Sequence, residues 1–85
     1  MNENDKIKFY REKIESIYPD LIKLNKEQVC RVLNISGTSF VNIINKNDIY
    51  KLPKFKVEET TRKDGKPYRN YKFDINDVAY FLAHN

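Results

Sequence analysis

Thr38, Ser39, Asn42, Asn45 and Lys46 share one short stretch, and Arg62, Lys63, Lys66 and Arg69 share another. Hydroxyls and carboxamides exchange hydrogen bonds with base edges, while ammonium and guanidinium groups neutralise phosphates, so this mixture suits reversible binding of a polyanion. Groups for covalent chemistry lack company. Ser36 and Ser39 have no histidine near them in sequence, His84 being the one histidine of the chain. Cys30 is the single cysteine, which excludes an intramolecular disulfide and a cysteine-based zinc cluster within one chain. Gly37 and Gly65 form no phosphate-binding loop. The expectation is a binding protein rather than an enzyme, with no cofactor and no metal.

The charge pattern narrows the ligand. The net charge is +4. Up to Asn45 cations and carboxylates nearly balance, whereas between Lys46 and Lys72 Lys46, Lys51, Lys54, Lys56, Arg62, Lys63, Lys66, Arg69 and Lys72 face only Asp48, Glu58, Glu59 and Asp64. Positive charge concentrated on one segment is what binding through counterion release requires. A solvated basic loop has the same pattern, so charge alone leaves both readings open.

With 85 residues there is room for one domain and one modest core. A third of the residues are charged and two fifths hydrophobic, as in a well-solvated folded domain. No run approaches the roughly 18 apolar residues of a membrane span, and Met1 to Asp5 lacks the basic-then-apolar order of a signal peptide. The cytoplasm is the expected compartment, with no membrane partner.

Four helices are expected to position the polar residues. Ile7, Tyr10, Ile14, Ile17 and Tyr18 recur at helical spacing from about Asn4 to Tyr18, with Asn4 or Asp5 as cap and Pro19 as stop. A second helix opens at Asn25, where Gln28 can complete a capping box, and carries Val29, Val32 and Leu33 on its apolar face. Asn34 tolerates the left-handed conformation of a sharp exit, and Ser36 can cap a third helix from Gly37 to about Lys46, with Phe40, Ile43 and Ile44 inward. A fourth helix follows from Ile75 to about His84, capped by Asp74, with Val78, Phe81 and Leu82 on the core.

Between the last two helices a hairpin is expected. Phe55 and Val57 alternate with Lys56 and Glu58, and Tyr71 and Phe73 with Asn70 and Lys72, around Asp64-Gly65. A two-residue turn would pair Val57 with Lys72 and split the apolar residues between faces. A three-residue loop Lys63-Asp64-Gly65, with Gly65 left-handed, pairs Val57 with Tyr71 and Phe55 with Phe73 and turns all four toward the helices. Arg62, Lys63, Lys66 and Arg69 then lie at or near the tip.

The run from Leu24 through Ser36, then Phe40, Ile43, Ile44, Leu52-Pro53, and Tyr71 through Leu82 with its Phe-x-x-x-Asp-Val-x-x-Phe-Leu ending, resembles the excisionase-type, MerR-like winged helix family. The likeness spans about Leu24 to Leu82. It departs where Asn34 replaces the family's usual glycine and Gly37 replaces a long polar residue. It implies an α+β, mainly α fold: a winged helix-turn-helix with an N-terminal helix, a two-stranded hairpin wing and a C-terminal helix. Within one domain over 1–85, it implies an N-terminal extension at 1–22, the helix-turn-helix at 24–46, the wing at 54–73 and the last helix at 74–84.

The implied job is binding double-stranded DNA as an accessory or regulatory protein of a bacterial chromosome, phage, plasmid or other mobile element. Implied partners are a second copy in a dimer or array on DNA, and a recombinase, relaxase or other DNA-processing enzyme. Gly37, Thr38, Ser39, Asn42, Asn45 and Lys46 form the candidate recognition helix, with Asn42 toward adenine, and Arg62, Lys63, Lys66 and Arg69 the candidate wing contacts. The alternative is a winged-helix protein-interaction module without DNA binding, using Phe9, Tyr10 and Ile14 of the first helix.

Overall fold

The computed structural model describes residues 2–84, an α+β, mainly helical chain. Helix α1 covers Glu3–Ile17, β1 Lys23–Leu24, α2 Lys26–Leu33 and α3 Gly37–Asn45. After a single 3₁₀ turn at Ile49–Lys51 come β2, Lys56–Thr61, β3, Pro67–Asp74, and α4, Ile75–Ala83.

The start of α1 differs from the expectation. Asn2, not Asn4 or Asp5, is the cap, its side chain accepting from the Asp5 backbone nitrogen at 2.9 Å. That choice puts Glu3 and Asp5 in the first turn, where the positive end of the helix dipole favours carboxylates. The apolar stripe is also narrower. Ile14 is fully buried and Ile7, Tyr10 and Tyr18 pack beside it, but Ile17 is exposed.

The caps of α2 and α3 follow the sequence closely. Asn25 and Gln28 exchange the two hydrogen bonds of a capping box, at 2.8 and 2.9 Å. Asn34 leaves α2 in the left-handed conformation, φ 57°, which a short polar side chain tolerates better than other non-glycine residues. Ser36 accepts from the Ser39 backbone nitrogen at 3.0 Å and starts α3 after a turn of three residues, 34–36. Helix α3 ends one residue early, Lys46 being its C-terminal cap.

The hairpin adopts the three-residue loop. Val57 pairs with Tyr71 and Lys56 with Lys72, the Arg62 nitrogen donates to the Lys66 carbonyl at 2.9 Å, and Gly65 has φ 83°. Two expectations are corrected. The sheet has three antiparallel strands in the order β1-β3-β2, because Lys23 and Leu24 pair with Asp74 and Phe73. A strand of two residues is too short to leave a period-two signal. Val57, although on the helix-facing side, is 42% exposed, because β2 projects past the helices.

One core joins these parts. Ile14 of α1, Leu24 of β1, Val29 and Cys30 of α2, Phe40 of α3, Leu52, Phe73 of β3, and Ile75, Val78 and Ala79 of α4 form its buried cluster. Burying Ile14 takes it out of any partner surface on α1. Phe40 meets Tyr71 edge to face at 5.2 Å and Phe73 at 6.1 Å, which fixes α3 against the hairpin root. Among the described residues, no helix is long and apolar enough to cross a membrane.

Candidate nucleic-acid interface

Turning by about 100° per residue, α3 commits Phe40, Ile43 and Ile44 to one side, which leaves Thr38, Asn42 and Asn45 on the other. All three are exposed, as are Gly37, Ser39 and Lys46. Asn42 and Asn45 make no side-chain hydrogen bond among the described residues, so their donors and acceptors are open to a ligand. Ser39 is less free. Its hydroxyl stands 3.0 Å from that of Ser36, within the cap that starts the helix. Gly37 has open space around the position of a Cβ atom.

The four hairpin cations separate into two groups. Arg62, Lys63 and Lys66 surround the loop, where the Asp64 carboxylate accepts from the Lys66 backbone nitrogen at 3.0 Å. Lys63 and Lys66 have no ion pair among the described residues. Arg69 lies near the tip rather than on the loop: it faces Glu59, two pairs in from the loop end of the ladder, and its Nε donates to the Glu59 carboxylate at 3.1 Å. The Tyr71 side chain, and then Glu59, favour the charged form of Arg69 still further. The pair is exposed, so it orients the guanidinium more than it stabilises the fold.

Tertiary packing brings Arg69 to α3. Lys26, Val41, Asn45, Arg69 and Tyr71 line one cleft between α2, α3 and the hairpin. Lys26, Arg62 and Arg69 line an adjoining one of about 430 Å³. Lys26 was missed by sequence reasoning. It opens α2, and its ammonium lies 5.8 Å from the centre of the Phe40 ring, beside the candidate recognition helix. Nothing local marks it, because its neighbours come from residues 40–45 and 62–71. Tyr68 was also missed, and its ring lies under the Arg62 guanidinium at 4.6 Å.

Cys30 and His84 lie among other contacts. Cys30 is in the core, and burial pushes its thiol pKa up, away from the reactive thiolate. In its protonated form His84 donates through Nε2 to the Glu3 carboxylate at 2.6 Å and through Nδ1 to the Tyr80 carbonyl at 2.8 Å, linking the start of α1 to the end of α4. Among the described residues no group of three or more His, Cys, Asp or Glu side chains is arranged to hold a metal ion.

No protein-family model matches the chain, and no curated protein matches it in sequence.

Proposed function

We propose that the chain is a winged helix-turn-helix protein that binds double-stranded DNA and catalyses no reaction. In this reading α2 and α3 are the helix-turn-helix, β2 and β3 the wing, and α3 enters the major groove. The observation that carries it is the convergence of Lys26, Asn45 and Arg69 from three elements onto one cleft beside the open face of α3. Nine helical residues span about 13 Å, a length the roughly 12 Å wide major groove accepts. Thr38 and Asn42 then address base edges, Arg69 and Lys26 the flanking phosphates, and Arg62, Lys63 and Lys66 the backbone or a narrow minor groove further along.

The resemblance to excisionase-type proteins supports a role as an accessory or regulatory protein of a bacterial chromosome or mobile element, acting in the cytoplasm. A second copy or a DNA-processing enzyme would be its protein partner.

Selection of bound duplexes from a random pool, followed by titration at several salt concentrations, tests the reading. Replacing Arg62 and Lys63 by alanine is expected to weaken binding to all duplexes alike and to make the salt dependence shallower by about 0.9 per lost phosphate contact. Unchanged affinity and slope in that variant would count against it.

A further inference from the structure

A second group of lysines lies on the sheet face opposite α3. Side chains alternate between the faces of a strand, so Tyr71 and Phe73, which meet Phe40 of α3, point to one side, and Lys72 to the other. Lys56 is directly across from Lys72 in the ladder and shares its face. Lys23 of β1 and Lys54, ahead of β2, complete the group. The four lysines line a single depression of about 200 Å³ together with Phe55, Asp74 and Asp77.

The register gives this cluster its meaning. Two like charges directly opposite in an antiparallel pair repel, since their Cβ atoms are only about 5 Å apart. Glu58 relieves one of them, its carboxylate accepting from the Lys72 ammonium at 3.2 Å. Lys23, Lys54 and Lys56 have no ion pair among the described residues. Of the carboxylates in the depression, Asp74 accepts from the Asn76 backbone nitrogen at 2.8 Å and Asp77 lies in the first turn of α4, so both also serve the start of that helix. The four lysines still outnumber Glu58, Asp74 and Asp77 around the depression, which leaves a positive excess that an external anion can neutralise.

We propose that this face binds the phosphate backbone of a second DNA segment, so that one molecule bridges two duplexes. The proposal rests on the reading of α3 and the hairpin tip as the first DNA surface. A duplex seated on α3 occupies the side of the sheet that carries Tyr71 and Phe73. The lysines opposite face away from it and are free for another segment, or for the same DNA where it bends back. Lys23, Lys54 and Lys56, the three of them without an ion pair among the described residues, come from different segments and suit a row of phosphates, and their contact is independent of base sequence.

The test is capture of a fluorescent duplex by the full-length protein bound to an immobilised one. Wild type is expected to capture it. Lys23→Ala with Lys56→Ala is expected to keep its affinity for the immobilised duplex within about twofold and to lose capture by about tenfold, with a salt dependence that marks phosphate contacts. Binding of the first duplex without capture, or capture that survives in the lysine variant, overturns the proposal and leaves the first surface standing. Arg69→Ala, which removes a cation on the α3 side of the sheet, is expected to weaken attachment to the immobilised duplex. If instead only the lysine variant loses attachment, the assignment of the first surface fails, and the two-duplex arrangement with it. Lysine-dependent retention of soluble polyglutamate without capture of the second duplex would assign the face to an acidic protein and overturn the DNA reading.

Discussion

The guanidinium of Arg62 lies over the ring of Tyr68, its central carbon 4.6 Å from the ring centre. Tyr68 faces Thr60 in the ladder, and Arg62 is two residues further along β2's direction, so the contact is the diagonal one that long side chains reach across an antiparallel pair. The ring acts as a platform that limits the orientations of an otherwise free arginine. A cation stacked this way keeps its donors directed outward, toward a phosphate or groove edge.

Tyr68→Ala is therefore expected to weaken DNA binding although tyrosine carries no charge. An exposed cation–π contact contributes about 0.5–1 kcal/mol, which corresponds to roughly a two- to fivefold loss in affinity. In an Arg62→Ala background the same substitution should have little further effect. Fluorescence titration of the four proteins of this double-mutant cycle measures the coupling directly, and additive losses would show that the stack does not prepare Arg62 for binding.

Sequence preference is expected to follow Asn42. Its carboxamide is exposed on the outward side of α3 and can bond adenine through two edge groups at once, a contact that discriminates by about 1–3 kcal/mol. Asn42→Ala should relax one base position in the selected-site profile and leave the salt slope nearly unchanged. If the profile changes only in Arg62→Ala, the hairpin is the reader and α3 only docks.

The two glycines are expected to respond to alanine in opposite directions. Gly65 has φ 83°, a conformation that costs a residue with a Cβ atom on the order of 1 kcal/mol, so Gly65→Ala should lower the melting temperature. Gly37 is in α3, and a Cβ atom there meets nothing within 4 Å. Gly37→Ala should raise stability, by up to about 1 kcal/mol, because glycine has the larger entropy to lose in a helix. Thermal denaturation of both variants checks the pair.

Stability should also depend on pH through His84. Its pKa is raised, first by the hydrogen bond to the Tyr80 carbonyl and then by Glu3. A group whose pKa is higher in the folded state binds its proton more tightly there. Its contribution is fully present below the ordinary histidine value of about 6.5 and is lost as pH rises through the raised value. In melting curves between about pH 5 and 8, wild type should lose this increment with rising pH, and His84→Gln should lack that component. Equal pH profiles for the two proteins would show that the link between α1 and α4 is not held by the charge.

The elements that depend on neighbours in the chain were legible from the residues alone. Asn25 with Gln28, Asn34, Ser36 and Asp74 each satisfy or redirect backbone groups within a few positions, so residue type and spacing are enough to mark the helix ends. The hairpin register was legible for a related reason: only one loop length puts Phe55, Val57, Tyr71 and Phe73 on a common face. The start of α1 is ambiguous in the sequence because Asn2, Asn4 and Asp5 all have a side chain able to cap, and local chemistry does not choose among them.

What distant packing decides was beyond the sequence. Two residues at positions 23 and 24 become a strand only because the edge of β3 lies beside them and their hydrogen bonds would otherwise be unmet. Val57 has the pattern of a core residue but stays exposed, because the hairpin extends beyond the helices that would cover it. The same holds for the candidate interface. Its exposed α3 residues follow from helical periodicity, but Lys26 beside Phe40, Arg69 beside Asn45 and Lys56 behind the sheet are juxtapositions of segments far apart in the chain. No spacing rule encodes them, since a side chain's surroundings are set by how the elements pack.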